Sequence, residues 1–146
     1  MVRKTDLKEL RTGDLPAAGA WDDATVEGWA ELRVHDVSEL GLFAEYTQGD
    51  PAGAVEYRVE VSPVSSGDDW FPAEEFRDEA GAATAGQSTR VASRTRTVLL
   101  TGTQRAPMRT FDVSGADRAR VVAREVGAAG TPGAFRVRAR GVARGA

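Results

Sequence analysis

The stretch AVEYRVEVSPV, residues 54–64, decides the fold. Its odd-numbered positions from 55 to 61 are apolar (Val, Tyr, Val, Val), and the even-numbered positions between them are charged (Glu, Arg, Glu). Successive side chains of a β-strand point to opposite faces. The alternation therefore predicts a half-buried strand with an apolar inner face and a charged outer face.

The same period of two recurs along the chain, in ATVEGWAELRV (24–34), ELGLFAEYT (39–47), TRVASRTRTVLLTG (89–102), MRTFDVS (108–114), DRARVVAREVG (117–127) and AFRVRARGVA (134–143). QGDPAG (48–53) predicts a hairpin turn, and GAAGTPG (127–133) joins the last two strands. DEAGAATAGQS (78–88) predicts a loop. Seven or eight short strands separated by turns predict an all-β fold, an antiparallel β-sandwich of jelly-roll-like form. Without long amphipathic helices as crossovers, a parallel sheet is disfavoured.

The chain divides into an N-terminal arm, residues 1–20, and a β-sandwich domain, residues 21–146. In the arm, TDLKEL is compatible with one helical turn, and RTGDLPAAGA is typical of extended coil. Leu15 and Trp21 lie where the arm joins the sandwich. They are the predicted interface residues, because aliphatic and aromatic side chains dominate interface energetics.

Charge is distributed unevenly along the 146 residues. Residues 1–89 hold 7 Lys or Arg and 19 Asp or Glu, whereas residues 90–146 hold 12 Arg and 3 acids. Two interpretations are open: a basic face for an acidic partner, or early acidic strands paired with late basic strands within a sheet. We favour the second. A nucleic-acid partner is not expected, because Phe111 and Phe135 are the only aromatic residues in the basic half.

The stretch SSGDDWFP, residues 65–72, admits several interpretations. Asp68 and Asp69 have the oxygen ligands of a calcium site, and Trp70 with Phe71 resembles a sugar-stacking platform. Ser, Gly and Asp are also the ordinary residues of a turn, and Pro72 lacks the donor that a central strand needs. We favour a bend between two strands, with Trp70 covering the edge of the core.

Few residues suit catalysis. There is no cysteine, and His35 is the only histidine, so thiolate chemistry and histidine metal cages are excluded. Neither G-x-S-x-G nor a glycine-rich phosphate loop occurs. We therefore predict no enzyme activity and no catalytic, cofactor-binding or metal-binding residue. The sequence contains no apolar run of membrane-spanning length and no signal-peptide pattern at its start, so synthesis and folding in the cytoplasm without a membrane partner are expected.

Two segments carry a family resemblance: YRVEVSPVSSGDDWFP (57–72), and FDVSGADRARVVAREVGAAGTPGAFRVRARG (111–141) with its closing hairpin. They resemble small phage structural proteins of β-sandwich or jelly-roll form, such as capsid decoration (cement) proteins and minor virion proteins. The resemblance implies a non-enzymatic part of a virion assembled in the host cytoplasm. It also implies that the arm and a sandwich edge bind the major capsid protein or another virion protein, and that the chain forms a homo-oligomer, for which a trimer is one arrangement.

An alternative is a tail-associated or carbohydrate-binding β-sandwich module. In a carbohydrate-binding module, four aromatic residues would be exposed, namely Tyr46, Tyr57, Trp70 and Phe71.

Overall fold

The computed structural model describes residues 2–16, 19–22, 32–78, 90–94, 97–127 and 130–144. These residues contain thirteen β-strands: β1 (Val2–Lys4), β2 (Lys8–Arg11), β3 (Leu32–Arg33), β4 (Glu39–Thr47), β5 (Ala54–Ser62), β6 (Phe71–Pro72), β7 (Glu74–Asp78), β8 (Arg90–Arg94), β9 (Val98–Thr101), β10 (Gln104–Arg105), β11 (Arg109–Asp112), β12 (Arg118–Val126) and β13 (Ala134–Arg144). Among the described residues, no helix is long and apolar enough to cross a membrane.

The strands form two antiparallel sheets. The first has the order β1-β13-β4-β11-β7-β8, with β2 also paired to β13 and β10 also paired to β4. The second has the order β3-β12-β5-β6, with β9 also paired to β5. The predicted all-β antiparallel sandwich is confirmed, whereas its jelly-roll likeness stays a prediction.

The core lies between the sheets and is built from the apolar positions of the alternating segments. The residues that face it from the four longest strands are Leu40, Leu42, Ala44 and Tyr46 of β4, Val55, Tyr57 and Val59 of β5, Ala119, Val121 and Ala123 of β12, and Phe135, Val137 and Ala139 of β13. All are at most 3% exposed. The period of two therefore predicted the buried face of each of these strands.

The two predicted hairpins are wrong. Residues 48–53 connect β4 in the first sheet to β5 in the second, and the link after Val126 likewise joins β12 to β13 across the sandwich. The pairing partners come from elsewhere: β4 pairs with β13, and β5 pairs with β12. Strands on opposite sheets bury their apolar faces as completely as strands in one sheet do, so alternation does not distinguish the two arrangements.

The long strand predicted for residues 89–102 is two strands in different sheets. β8 pairs with β7 in the first sheet, and β9 pairs with β5 in the second. Between them, residues 95–96 lie outside the described residues. So do residues 79–89, which hold most of the predicted loop, and residues 23–31, which hold most of the first predicted strand.

Residues 2–16 lie along the sandwich, with strand β2 where a helical turn is compatible with the sequence, while residues 12–16 lie outside the named strands. β1 and β2 pair with β13, and the Leu15 amide donates a hydrogen bond to the Gly133 carbonyl at 2.8 Å. Further along, Asp22 pairs with Ala123 of the second sheet. The segment thus follows the edge of one sheet and then reaches the edge of the other. The division of the chain at residue 20 stays a prediction.

Covering the edge of β13 explains why the N-terminal segment adopts this path. An unpaired strand edge leaves backbone donors and acceptors open. β1 and β2 pair with the edge of β13. The apolar side chains of Leu10 and Leu15, 0% and 2% exposed, are part of the core.

Candidate interface surfaces

The bend after β5 is held in shape by a buried arginine. We call residues 63–71 the tip. Arg118, 1% exposed, lies on β12 directly opposite Ser62. Its Nε donates a hydrogen bond to the Val64 carbonyl at 2.7 Å, and its Nη2 donates to the Gly67 carbonyl at 2.8 Å and to Ser62 Oγ at 3.1 Å. The bend predicted from the sequence is confirmed.

Trp70 closes the tip from outside. Its ring lies over the guanidinium groups of Arg118 and Arg120, with 4.5 and 4.2 Å from each Cζ to the ring centroid. Such stacking is favourable because the face of an indole ring is electronegative. The expectation that Trp70 covers the edge of the apolar core is therefore wrong, because it covers two cations on the outer face of the second sheet.

The tip exposes two carboxylates and two apolar side chains. Asp68 and Asp69 are exposed, and neither forms an ion pair with a described residue. Val64 is 41% exposed and Phe71 is 52% exposed. In the described residues no group of three or more His, Asp or Glu is arranged to hold a metal ion. His35 and the adjacent Asp36 are both exposed.

The four aromatic residues of the sugar-binding alternative do not share a surface. Tyr46 is 1% exposed and Tyr57 is 0% exposed, so both rings belong to the core. Trp70 is half-buried against arginine, and Phe71 alone of the four is exposed. A platform made of these four residues is therefore contradicted.

The two predicted interface residues have different surroundings. Leu15 packs into the core of its own chain, so a partner would contact it only if residues 2–16 detached from the edge of β13. Trp21 is half-buried, and its ring lies over Arg58 and Arg124, with 4.6 and 4.8 Å from each Cζ to the centroid. An interface role for Trp21 stays a prediction. The interface role of Leu15 likewise stays a prediction.

Ion pairs join early acidic strands to late basic strands. Arg120 of β12 pairs with Glu60 of β5 at 2.9 Å, and Arg124 pairs with Glu56 at 2.9 Å. The first sheet repeats the pattern, because Arg136 of β13 pairs with both Glu9 and Glu45. The internal-pairing interpretation of the charge distribution is confirmed for these residues.

A groove lies on the outer face of the first sheet. It encloses about 200 Å³ and is lined by Lys4, Glu39, Gly41, Phe43, Met108, Thr110, Arg140 and Val142. Met108 is 56% exposed and lies above Gly41, where a Cβ atom would come 3.6 Å from its Sδ. Lys4 and Arg140 form no ion pair with any described residue, and Arg140 Nε is buried without a hydrogen-bond partner among them.

The opposite end of β12 carries a buried carboxylate. Glu125, 4% exposed, accepts a hydrogen bond from the Tyr46 hydroxyl at 2.5 Å and from the Gly133 amide at 2.9 Å. Burial raises the pKa of Tyr46 above its ordinary value, and the hydrogen bond to Glu125 raises it further. A Cβ at Gly133 would come 2.5 Å from Glu125 Oε2, so only glycine fits there. Because this cluster is enclosed and ties the sheets together, we assign it a structural role.

Tyr57 is the second buried tyrosine. Burial raises its pKa to about 12, while the nearby Arg109 guanidinium lowers it and Glu75 raises it. Its hydroxyl has no hydrogen-bond partner among the described residues. The Tyr57 hydroxyl keeps its proton because a phenolate in the apolar core would be poorly solvated.

No protein-family model matches the chain, and no curated protein matches it. The crystal structure of the SPBc2 prophage-derived protein YomS is similar at 13% identity, covering 98% of this chain and 96% of YomS, with a TM-score of 0.44. A structure of the Gx strain of infectious bursal disease virus is similar at 10% identity, covering all of this chain and 38% of that chain, with a TM-score of 0.41. At these identities and TM-scores, neither similarity assigns a family or a function.

Proposed function

We propose that this chain is a non-enzymatic structural component of a phage or phage-like particle, in the role of a capsid decoration or stabilising protein. Its partner would be the major capsid protein or another virion protein, and its location would be the assembled virion. The sequence resemblance to small phage structural proteins suggests this role, and the two-sheet body with its paired edge suits a rigid module on a particle surface.

The observation that carries the proposal is the tip. A loop normally loses conformational entropy when it binds, and that loss weakens the complex. Here Arg118 and Trp70 already fix the loop, while Phe71 and two carboxylates remain exposed. A prearranged, exposed aromatic side chain is typical of a protein-binding surface, and charged groups such as the two carboxylates belong to the rim of such a surface. The edge segment formed by residues 2–16 would contribute as a paired sandwich edge rather than as a free arm.

Binding to particles tests the proposal. Purified chain is mixed with particles of the phage or prophage that encodes it, prepared without this gene, and the bound fraction is measured after sedimentation of the particles. We expect saturable binding with a fixed number of copies per particle. Absence of saturable binding to heads and to tails would contradict a virion role, and binding to tails alone would support the tail-associated alternative instead.

A charge-reversal pair tests the contribution of the tip. Asp68→Lys with Asp69→Lys should weaken particle binding about tenfold or more, because a partner surface that complements two carboxylates would repel two lysines. The matched control is Asp14→Lys with Asp36→Lys, which reverses two other exposed acids. Equal loss of binding in both double variants would show that overall charge, and not the tip, determines the affinity.

A further inference from the structure

The tip and the groove have complementary chemistry. The tip presents Asp68 and Asp69 beside the exposed side chain of Phe71. The groove presents Lys4 and Arg140 beside apolar surface. The two surfaces belong to different sheets, since the tip follows β5 of the second sheet and the groove lies on the first. One chain can therefore offer both at once.

The cations of the groove are available to an incoming carboxylate. Lys4 is exposed, and neither it nor Arg140 has an ion-pair partner among the described residues. Arg140 is half-buried and lines the groove. Guanidinium groups bind carboxylates through parallel hydrogen bonds, so Arg140 is suited to such a ligand. Glu39 also lines the groove, but it is only 6% exposed. Lys4 and Arg140 therefore dominate the charge that the groove presents to a partner.

The apolar parts of the two surfaces also match. Met108 is 56% exposed above Gly41, and Phe43 lies beside it in the groove. Methionine adapts its shape to a partner and makes favourable contacts with aromatic rings. The exposed Phe71 ring of a tip is a group that this surface can cover.

We propose that the tip of one copy of this chain docks in the groove of a second copy, with Asp68 and Asp69 facing Lys4 and Arg140 and with Phe71 against Met108. The contact is heterologous, because the two copies use different surfaces. In each contact, one copy uses its tip and the other uses its groove. The unused groove of the first copy and the unused tip of the second can bind further copies, so successive contacts build a closed ring or an open row. This inference goes beyond the proposed role in a particle, because it gives the tip a second partner, the groove of another copy.

The size of the contact sets the expected strength. A loop in a groove of about 200 Å³ buries less than the roughly 1,000 Å² that stable interfaces exceed. Association should therefore be weak, dependent on concentration and weakened by salt, because exposed charges are screened. Repeated contacts in a ring, or on a shared support, would strengthen it through effective concentration.

Charge exchange between the two surfaces is the test, followed by sedimentation velocity of the full chain at low salt over a range of concentrations. The first variant carries Asp68→Lys and Asp69→Lys, and the second carries Lys4→Glu and Arg140→Glu. In each variant the tip and the groove have the same sign, so each alone should be monomeric. In an equimolar mixture, the basic tip meets the acidic groove and the acidic tip meets the basic groove, so association should return.

Three outcomes overturn the proposal: a wild-type chain that stays monomeric throughout, double variants that associate as the wild type does, or a mixture that stays monomeric. Asp14→Lys with Asp36→Lys is the control and should associate as the wild type does. If circular dichroism shows that either exchange variant folds poorly, Met108→Glu replaces that variant, because Met108 is exposed and its substitution should leave the fold intact. Association of Met108→Glu that equals that of the wild type also overturns the proposal. A monomeric wild type that still binds particles would contradict this inference and leave the proposed function standing.

Discussion

The two ends of β12 carry buried charges of opposite sign that serve different purposes. Arg118, at its first position, faces outward on the second sheet and donates hydrogen bonds to the carbonyls of the tip. Glu125, near its last position, faces inward and accepts hydrogen bonds from Tyr46 and Gly133. Tyr46 belongs to the first sheet, so the carboxylate connects the two layers, whereas the guanidinium shapes one loop. Loss of Glu125 should therefore affect the whole fold, and loss of Arg118 should affect the tip.

Glu125→Ala should have the largest effect on stability. It leaves the Tyr46 hydroxyl and the Gly133 amide buried without acceptors, and each such group costs about 1–3 kcal/mol. We expect the free energy of unfolding to fall by about 4 kcal/mol once the small cavity is included. Urea unfolding measures this, with Glu56→Ala as the control, since Glu56 is a partly exposed acid on β5. Equal losses in the two variants would show that Glu125 has no special role.

High pH should destabilise the fold through its two tyrosines. The pKa of Tyr57 is raised from 10.0 to about 12, so the unfolded chain releases this proton at a lower pH than the folded chain does. The stabilising difference is complete below pH 10 and is lost as pH rises towards 12, which amounts to about 3 kcal/mol. Tyr46 changes stability in the same direction. Tyr57→Phe should flatten the dependence, and tyrosinate absorbance from the folded chain near pH 10 would contradict the account.

Arg118→Ala should cost about 2 kcal/mol of unfolding free energy, because hydrogen bonds to a charged group are lost while the freed carbonyls of the tip gain water. Arg124→Ala is the matched control, since Arg124 is also on the outer face of β12, stacks on a tryptophan and is 37% exposed. We expect the control to lose less than half as much. A larger loss in the control would place the main restraint at Trp21 instead of at the tip.

Trp70→Ala should have the smallest effect on stability, about 1 kcal/mol, because it removes a half-exposed cation–π contact and leaves the hydrogen bonds of Arg118 in place. Trp21→Ala is its counterpart over Arg58 and Arg124. Thermal unfolding compares the two. A loss from Trp70→Ala as large as that from Arg118→Ala would mean that the ring, rather than the hydrogen bonds, fixes the tip.

The sequence predicted strands better than it predicted connections. The bounds of β4, β5, β12 and β13 match the alternating segments within two residues, because burial on one face imposes a period of two. The turn residues at 48–53 and after Val126 predict hairpins, but Gly, Pro and Asp supply the same backbone freedom to a link between sheets. Which sheet each strand joins depends on partners about 60 to 100 residues away, which local patterns do not record.

The pairing of the N-terminal segment and the residues of the tip and the groove could not be predicted from the sequence, for related reasons. β1 and β2 are too short to show a period, and their partner β13 lies at the other end of the chain. Arg118 occupies a charged outward position like those of Arg120 and Arg124, so alternation gave no sign that it is buried. Lys4, Met108 and Arg140 come from three separate strands or loops and meet only in the folded sheet. The bend after β5 was predictable because its Ser, Gly and Asp residues are ordinary turn formers.

Amide hydrogen exchange of Arg118→Ala, measured residue by residue beside Glu125→Ala, tests most directly whether the two buried charges act on different scales. For Arg118→Ala we predict faster exchange at the tip, including the Val64 amide, which hydrogen-bonds Ser62 Oγ, with protection unchanged in β4 and β13. For Glu125→Ala we predict faster exchange in both sheets. Uniform acceleration across the sandwich in Arg118→Ala, or a tip that keeps its protection, would contradict the account.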